Sequence, residues 1–176
     1  MRTLRPYLLA VLLALAFAVA DVRRGVAATS RAIEPETYLV ESIRHYRATT
    51  TRLQRVMGHR VRFRRLARVS LERAHRVWRH RAVATRNRFL RGPAHKGAWL
   101  CIHRYEADWG DGGSPYYGGL QMDISFQANY GGILLSTKGT ADNWTPLEQM
   151  WVAERAFRAG RGFYPWPNTA RVCGLI

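Results

Sequence analysis

The sequence predicts a mainly α-helical protein in which a basic, partly helical segment precedes a small, nearly neutral C-terminal domain. Three observations predict this. An apolar seam at helical spacing runs from Leu39 to Met57, a complete helix-start signature sits at Thr145-Pro-Leu-Glu148, and the charge changes abruptly near Gly92-Pro93. Residues 31–96 hold 18 Lys or Arg against 4 acids, whereas residues 97–176 hold 6 against 7 and contain five of the six tryptophans. The formal net charge of +16 is therefore no property of the C-terminal domain. Whatever attracts polyanions lies in the middle segment.

At the front, Arg2 and Arg5 precede an apolar run from Tyr7 to Ala20 that ends in the small residues Ala18-Val19-Ala20. Residues 1–28 are thus expected to be a signal peptide or signal anchor, which makes the protein secreted or associated with the cell surface or wall. The thirteen residues from Leu8 to Ala20 fall short of the ~20 a spanning helix needs, which favours cleavage. Arg23 and Arg24 are the argument for a retained anchor. Residues 29–92 are expected as a basic linker or stalk. Within them Leu39, Ile43, Tyr46, Leu53 and Met57 form one helical seam if Thr50 fills the gap, with a start near Glu36 and an interruption at Gly58. Beyond it, Arg60-Val-Arg-Phe-Arg-Arg-Leu-Ala-Arg68 and then Val69, Val77, Trp78 and Val83 suggest a second helix without a clean period. Nucleic acid, an anionic membrane surface and anionic wall polymers all fit such a charge run, as does a solvated spacer with no dedicated partner. Export and the absence of a base-reading motif argue against specific nucleic-acid recognition.

Residues 93–176 form the expected C-terminal domain. A first helix runs from Trp99 to about Asp108, Gly110-Asp-Gly-Gly-Ser-Pro115 is a loop, extended pieces lie around Tyr116 to Gln121, and a short helix from Met122 to Tyr130 ends at Gly131-Gly132. The last helix starts at Thr145, with proline at its first position and Glu148 completing a capping box. Met150, Val152, Ala153, Ala156 and Phe157 give it an apolar face, and Gly160 is its stop. Cys101 and Cys173 are the two cysteines; in an exported protein an even pair suggests a disulfide, the plainer alternative being two buried thiols. No zinc-ligand spacing accompanies them, and no metal or cofactor is implied.

Glu106 lies on the apolar and aromatic stretch Trp99-Leu-Cys-Ile-His-Arg-Tyr-Glu-Ala-Asp-Trp109. Apolar neighbours disfavour the charged carboxylate, so Glu106 is the candidate general acid. The following Tyr116-Tyr-Gly-Gly-Leu-Gln-Met-Asp123 suggests carbohydrate chemistry. Gly118 and Gly119 let backbone approach a ligand, Gln121 offers a donor and an acceptor, and Tyr117 and Trp109 can stack on sugar faces. Each has a plainer reading: Glu106 as a surface carboxylate paired with Arg104, the aromatic residues as core, and His103 as structural. Trp144, Trp151 and Trp166 are assigned to packing.

Tyr116-Tyr-Gly-Gly-Leu-Gln-Met-Asp123, Ala128-Asn-Tyr-Gly-Gly132, Glu148-Gln149, Val152-Ala-Glu154 and Trp166-Pro167 before Cys173 together resemble the catalytic domain of actinobacterial resuscitation-promoting factors. The resemblance covers about residues 97–174. It implies an α+β lysozyme-like fold related to lytic transglycosylases, acting on the β-1,4 bond between N-acetylmuramic acid and N-acetylglucosamine in peptidoglycan glycan strands. It places the catalytic glutamate on Glu106 and a disulfide on Cys101 and Cys173. The family has a cysteine immediately before that glutamate, where Tyr105 stands here. Cys101 lies one helical turn earlier, and Asn168-Thr-Ala-Arg171 is extra chain before Cys173. The alternatives are a nonenzymatic wall-binding or signalling module, and a cationic surface-binding protein acting through residues 31–92.

Overall fold

The computed structural model describes residues 35–61 and 69–176. The signal or anchor expected over residues 1–28 lies outside them, as does the arginine-rich run over residues 62–68. The first helix, α1, spans Pro35–Val56, with Glu36 in its first turn and Arg55 in its last, each placed favourably for the helix dipole. Its seam is as expected: Thr50 is 1 % exposed and donates its hydroxyl to Tyr46 O at 2.7 Å, which satisfies a polar group inside an apolar stripe. Gly58 ends the segment at φ 70°, a conformation other residues adopt at a cost.

The second helix, α2, spans Leu71–Arg91 and is capped by Ser70, whose hydroxyl accepts from Arg73 N. It packs on α1 through rings. Trp78 is buried beneath the guanidinium groups of Arg47 and Arg81, 5.5 and 5.0 Å from its ring centre, and Tyr46 meets His75 at 5.6 Å.

These helices are no detached stalk. Leu53, Val56 and Met57 belong to the same buried cluster as Trp99, Ile102, Trp151 and Trp166, and Phe89 packs against it. The Trp151 indole donates to Phe89 O at 3.1 Å, and the Arg158 guanidinium donates to Met57 O. The described residues from Leu39 to Ile176 therefore form one compact unit. The expected division near Gly92-Pro93 is a turn within that unit, with Gly92 at φ 86° and its N–H bonded to Phe89 O.

The remaining elements are α3 (Lys96–Glu106), β1 (Tyr116–Tyr117), β2 (Met122–Asp123), α4 (Ile124–Lys138), α5 (Pro146–Ala156) and α6 (Pro167–Val172). The molecule is mainly helical, and the strands among the described residues form one antiparallel hairpin pairing Tyr116 with Asp123 and Tyr117 with Met122. The capping box at α5 is present in both directions: Glu148 N donates to Thr145 Oγ1, and Thr145 N donates to Glu148 Oε2. Helix α5 closes at Ala156, and a wider turn over Phe157–Arg161 carries the chain to Gly160 at φ 92°.

Gly131-Gly132 does not end a helix, because α4 runs through both residues to Lys138. Gly131 is there for packing. A Cβ on it would lie 2.5 Å from the Trp144 ring and 3.3 Å from Val152, so glycine lets α4 approach the start of α5. Trp144, Trp151 and Trp166 are all buried, and their indole N–H groups donate to Gly139 O, Phe89 O and Leu120 O respectively.

Candidate active site

Helix α3 carries the candidate acid as its last residue, and both its ends are pinned. At the start, Trp99 is fully buried among Phe157, Phe163 and Trp166, with ring centres 6.3, 4.9 and 5.3 Å away. Its indole donates to Glu154 Oε2 at 2.9 Å, and the same carboxylate accepts from the backbone N–H of His95 at 3.3 Å and from its Nδ1 at 3.1 Å. A carboxylate at a helix N-terminus also meets the positive end of the dipole.

About one turn before its other end, α3 is bonded covalently to Cys173, the residue that caps the C-terminus of α6. Cys101 and Cys173 form a disulfide, with their Cα atoms 6.0 Å apart. Beside that bridge Thr169, on α6, donates its hydroxyl to Glu106 Oε1 at 2.7 Å. The two links together mean that α3 and α6 run in opposite senses here. Glu106 is half-buried, and its Oε2 accepts no hydrogen bond among the described residues. Thr169 was not anticipated, since it lies in the Asn168-Thr-Ala-Arg171 stretch read as extra chain. A signal existed: Thr169 stands one turn before Cys173, much as Glu106 stands about one turn after Cys101.

The predicted ligand-contacting residues are brought together with one another, but largely by contacts within the protein. Trp109 stacks on His103, three residues before Glu106 on α3, with ring centres 3.9 Å apart at 22°. Gly119 lies against both rings: a Cβ there would sit 2.6 Å from His103 Nδ1 and 2.8 Å from Trp109, and its carbonyl accepts from that Nδ1 at 3.2 Å. Gly118, at φ 74°, packs its bare Cα against the side chain of Gln149. Both glycines are buried, so the close approach they permit is to the protein's own side chains.

Gln149, not singled out as a site residue from sequence, is the hub behind this hairpin. It is fully buried, and its amide nitrogen donates to Trp109 O and Ala141 O at 2.8 Å and to Trp144 O at 3.2 Å. Gln121 adopts φ 47° and donates to Asp111 Oδ2 at 2.8 Å and Gly118 O at 3.0 Å, which commits its amide nitrogen to shaping the turn. Tyr117 is half-buried beside it in β1. Two of the three nearby aspartates also have structural work. Asp123 caps α4 by accepting from Phe126 N at 2.7 Å, and Asp111 accepts from Gln121 and from Gly113 N. Asp108 is exposed, and its carboxylate has no partner among the described residues.

Glu106 lines neither of the two cavities between α1 and α2. One of about 550 Å³ is lined by Gln54, His59, Arg60, His80, Arg81 and Arg88 among others, between α1 and α2. Among the described residues no three His, Cys, Asp or Glu side chains gather as a metal site would require. No protein-family model, curated protein or solved structure matches the chain.

Proposed function

We propose that the chain is an exported, peptidoglycan-cleaving glycosidase with a lysozyme-like C-terminal region, and that Glu106 is its general acid and base. The reading is supported by the ordered run of motifs between Trp99 and Cys173, by a helical body tied by the Cys101–Cys173 disulfide, and above all by how Glu106 is held. The Thr169 hydroxyl occupies Oε1 at 2.7 Å and leaves Oε2 open. A carboxyl fixed through one oxygen presents the other in a defined position, as proton transfer to a glycosidic oxygen requires.

In this mechanism the protonated Oε2 of Glu106 gives its proton to the oxygen linking N-acetylmuramic acid to N-acetylglucosamine as the C1–O bond breaks. The commitments of Asp111 and Asp123 favour a route without a second protein carboxylate. The substrate's own N-acetyl oxygen then supports the oxocarbenium-like carbon, and the C6 hydroxyl attacks C1 while Glu106 takes back its proton, closing a 1,6-anhydro ring. The exposed Asp108 is the carboxylate left for hydrolysis with a water.

Isolated peptidoglycan incubated with the full chain in its disulfide form, with released muropeptides identified by mass spectrometry, tests this reading. Anhydro-muramyl ends that vanish in Glu106→Gln are expected. Reducing ends would make the protein a muramidase, and no release from folded protein would leave a nonenzymatic wall-binding module. A second reading, adhesion to an anionic surface through residues 31–92, is supported by the cavity that Arg60, Arg81 and Arg88 line. It predicts that Arg81→Gln with Arg88→Gln weakens adhesion to whole cell walls, while the Glu106→Gln protein adheres normally.

A further inference from the structure

A second basic cavity, of about 370 Å³, lies between the turn after α1 and the exposed face of α4. Arg55, His59, Arg60 and Arg155 line it together with Asn129 and Gly132, and no acidic side chain does. Arg155 is the unusual member. It projects from α5, whose other residues from Glu148 to Ala156 are buried, and it is itself half-buried. No hydrogen bond or ion pair to its guanidinium exists among the described residues, where the ion pairs are His95 with Glu154 and Lys138 with Glu148. Removing a guanidinium from water without an opposing charge is unfavourable.

The fold nevertheless builds a place for it. A Cβ on Gly58 would lie 2.6, 2.8 and 2.9 Å from Arg155 Cγ, Cδ and Nε, so the side chain crosses the turn where a larger residue would block it. Gly132, on the far wall, faces open space. Burial and the neighbouring Arg158 hold the Arg155 guanidinium below its usual range, and burial, Arg158 and Arg88 push His59 down as well. Positive charge is crowded here, and among the described residues no carboxylate lines the cavity.

We infer that this cavity is a binding site for a phosphate group, with Arg155, Arg55 and Arg60 as its cationic ligands and the Asn129 amide as a neutral one. The guanidinium groups come from three separate parts of the chain, α5, α1 and the turn after it. A tetrahedral oxyanion offers oxygens in several directions to such a set, whereas a carboxylate offers two in one plane. The open side of the cavity leaves room for ester substituents, so the phosphate can be free or one diester of a polymer. The site is independent of cleavage at Glu106, and its test reads binding alone.

Thermal unfolding of the full chain is followed while inorganic phosphate replaces chloride at constant ionic strength, and again with poly(glycerol phosphate). The wild type is expected to be stabilised in a saturable way by at least one probe. Tighter binding of the polymer per phosphate, with inorganic phosphate competing, identifies the diester as the ligand; equal binding identifies free phosphate. Arg155→Gln, and separately the exposed pair Arg55→Gln with Arg60→Gln, should weaken binding by about tenfold or more, the scale of losing a charged hydrogen bond. The pair variant keeps the test valid should Arg155→Gln fail to fold. Arg73→Gln with Arg79→Gln removes the same charge from the exposed face of α2 and should leave binding unchanged. The proposal is overturned by a wild type insensitive to both probes, by undiminished binding in the Arg55/Arg60 variant, or by an equal loss in the Arg73/Arg79 control.

Discussion

At the start of α3 the Glu154 carboxylate, 2 % exposed, accepts from the His95 backbone, the His95 ring and the Trp99 indole. At the end of the same helix Glu106 is half-buried and accepts from Thr169 through one oxygen. Chemically the two groups are identical. The first has both oxygens engaged by donors within the protein, so it serves as a structural anchor. The second has one oxygen that accepts from no donor among the described residues. Partial satisfaction, more than burial, separates a carboxylate that holds a fold from one that can act on a substrate.

The largest expected effect sharpens this contrast. Glu106→Gln should lower muropeptide release by about 10²–10⁴-fold, the usual worth of general acid catalysis, with an almost unchanged melting temperature. Comparable release from the variant would remove Glu106 from the chemistry. Next, replacing both cysteines by serine should destabilise the protein by about 4 kcal/mol in denaturant titration, because the bridge spans a sequence separation of 72. Activity should fall alongside, since the same bridge sets Thr169 beside Glu106.

At the other end of α3, Glu154→Ala should cost about 1–3 kcal/mol of stability by stranding the Trp99 and His95 donors. A change within error would mean that these donors find water instead. Thr169→Val keeps the shape and removes the hydroxyl; muropeptide release is expected to fall roughly tenfold with stability changed by under about 1 kcal/mol. A loss of stability matching that of Glu154→Ala would erase the distinction between the two ends.

The smallest effect concerns Glu148. Burial works to raise its pKa, but the Lys138 ammonium at 2.7 Å and the Thr145 N–H outweigh it and hold the carboxyl below its ordinary 4.5. A depressed folded pKa contributes stability that is complete above the unfolded value and is lost as pH falls below it. Melting temperatures recorded downward from pH 6 should therefore drop less steeply below about 4.5 in Glu148→Gln than in the wild type. Parallel curves would show that the capping box does not depend on this charge.

Much of the helical framework was legible because its signals are local. Thr145, Pro146 and Glu148 specify a helix start within four residues, and the α1 seam repeats often enough to place Thr50 inside it. The cysteine pair was legible from its parity. What escaped notice depends on parts of the chain far apart in sequence. Gly131 looks like a stop unless the Trp144 ring that fills its missing side chain is known, and Gly118 and Gly119 look open to a ligand until Gln149, His103 and Trp109 are seen against them. The apolar seam of α1 marked Leu53 and Met57 for burial but gave no sign that they, with Phe89, complete a core begun by Trp99 and Trp151. Thr169 was hidden for the opposite reason: departure from a familiar spacing made it look like insertion.

The disulfide also closes a ring. Between Cys101 and Cys173 lie both strands, α4, α5, α6 and the exposed loop over residues 112–115. Exposed, glycine-containing loops are where proteases cut first. A cut there would place Glu106 and Thr169 on different polypeptides, yet the sulfur–sulfur bond would keep both pieces in one covalent molecule. In surroundings rich in proteases, a nicked copy could thus keep its glutamate and hydroxyl in register, and chemical reduction would separate the halves.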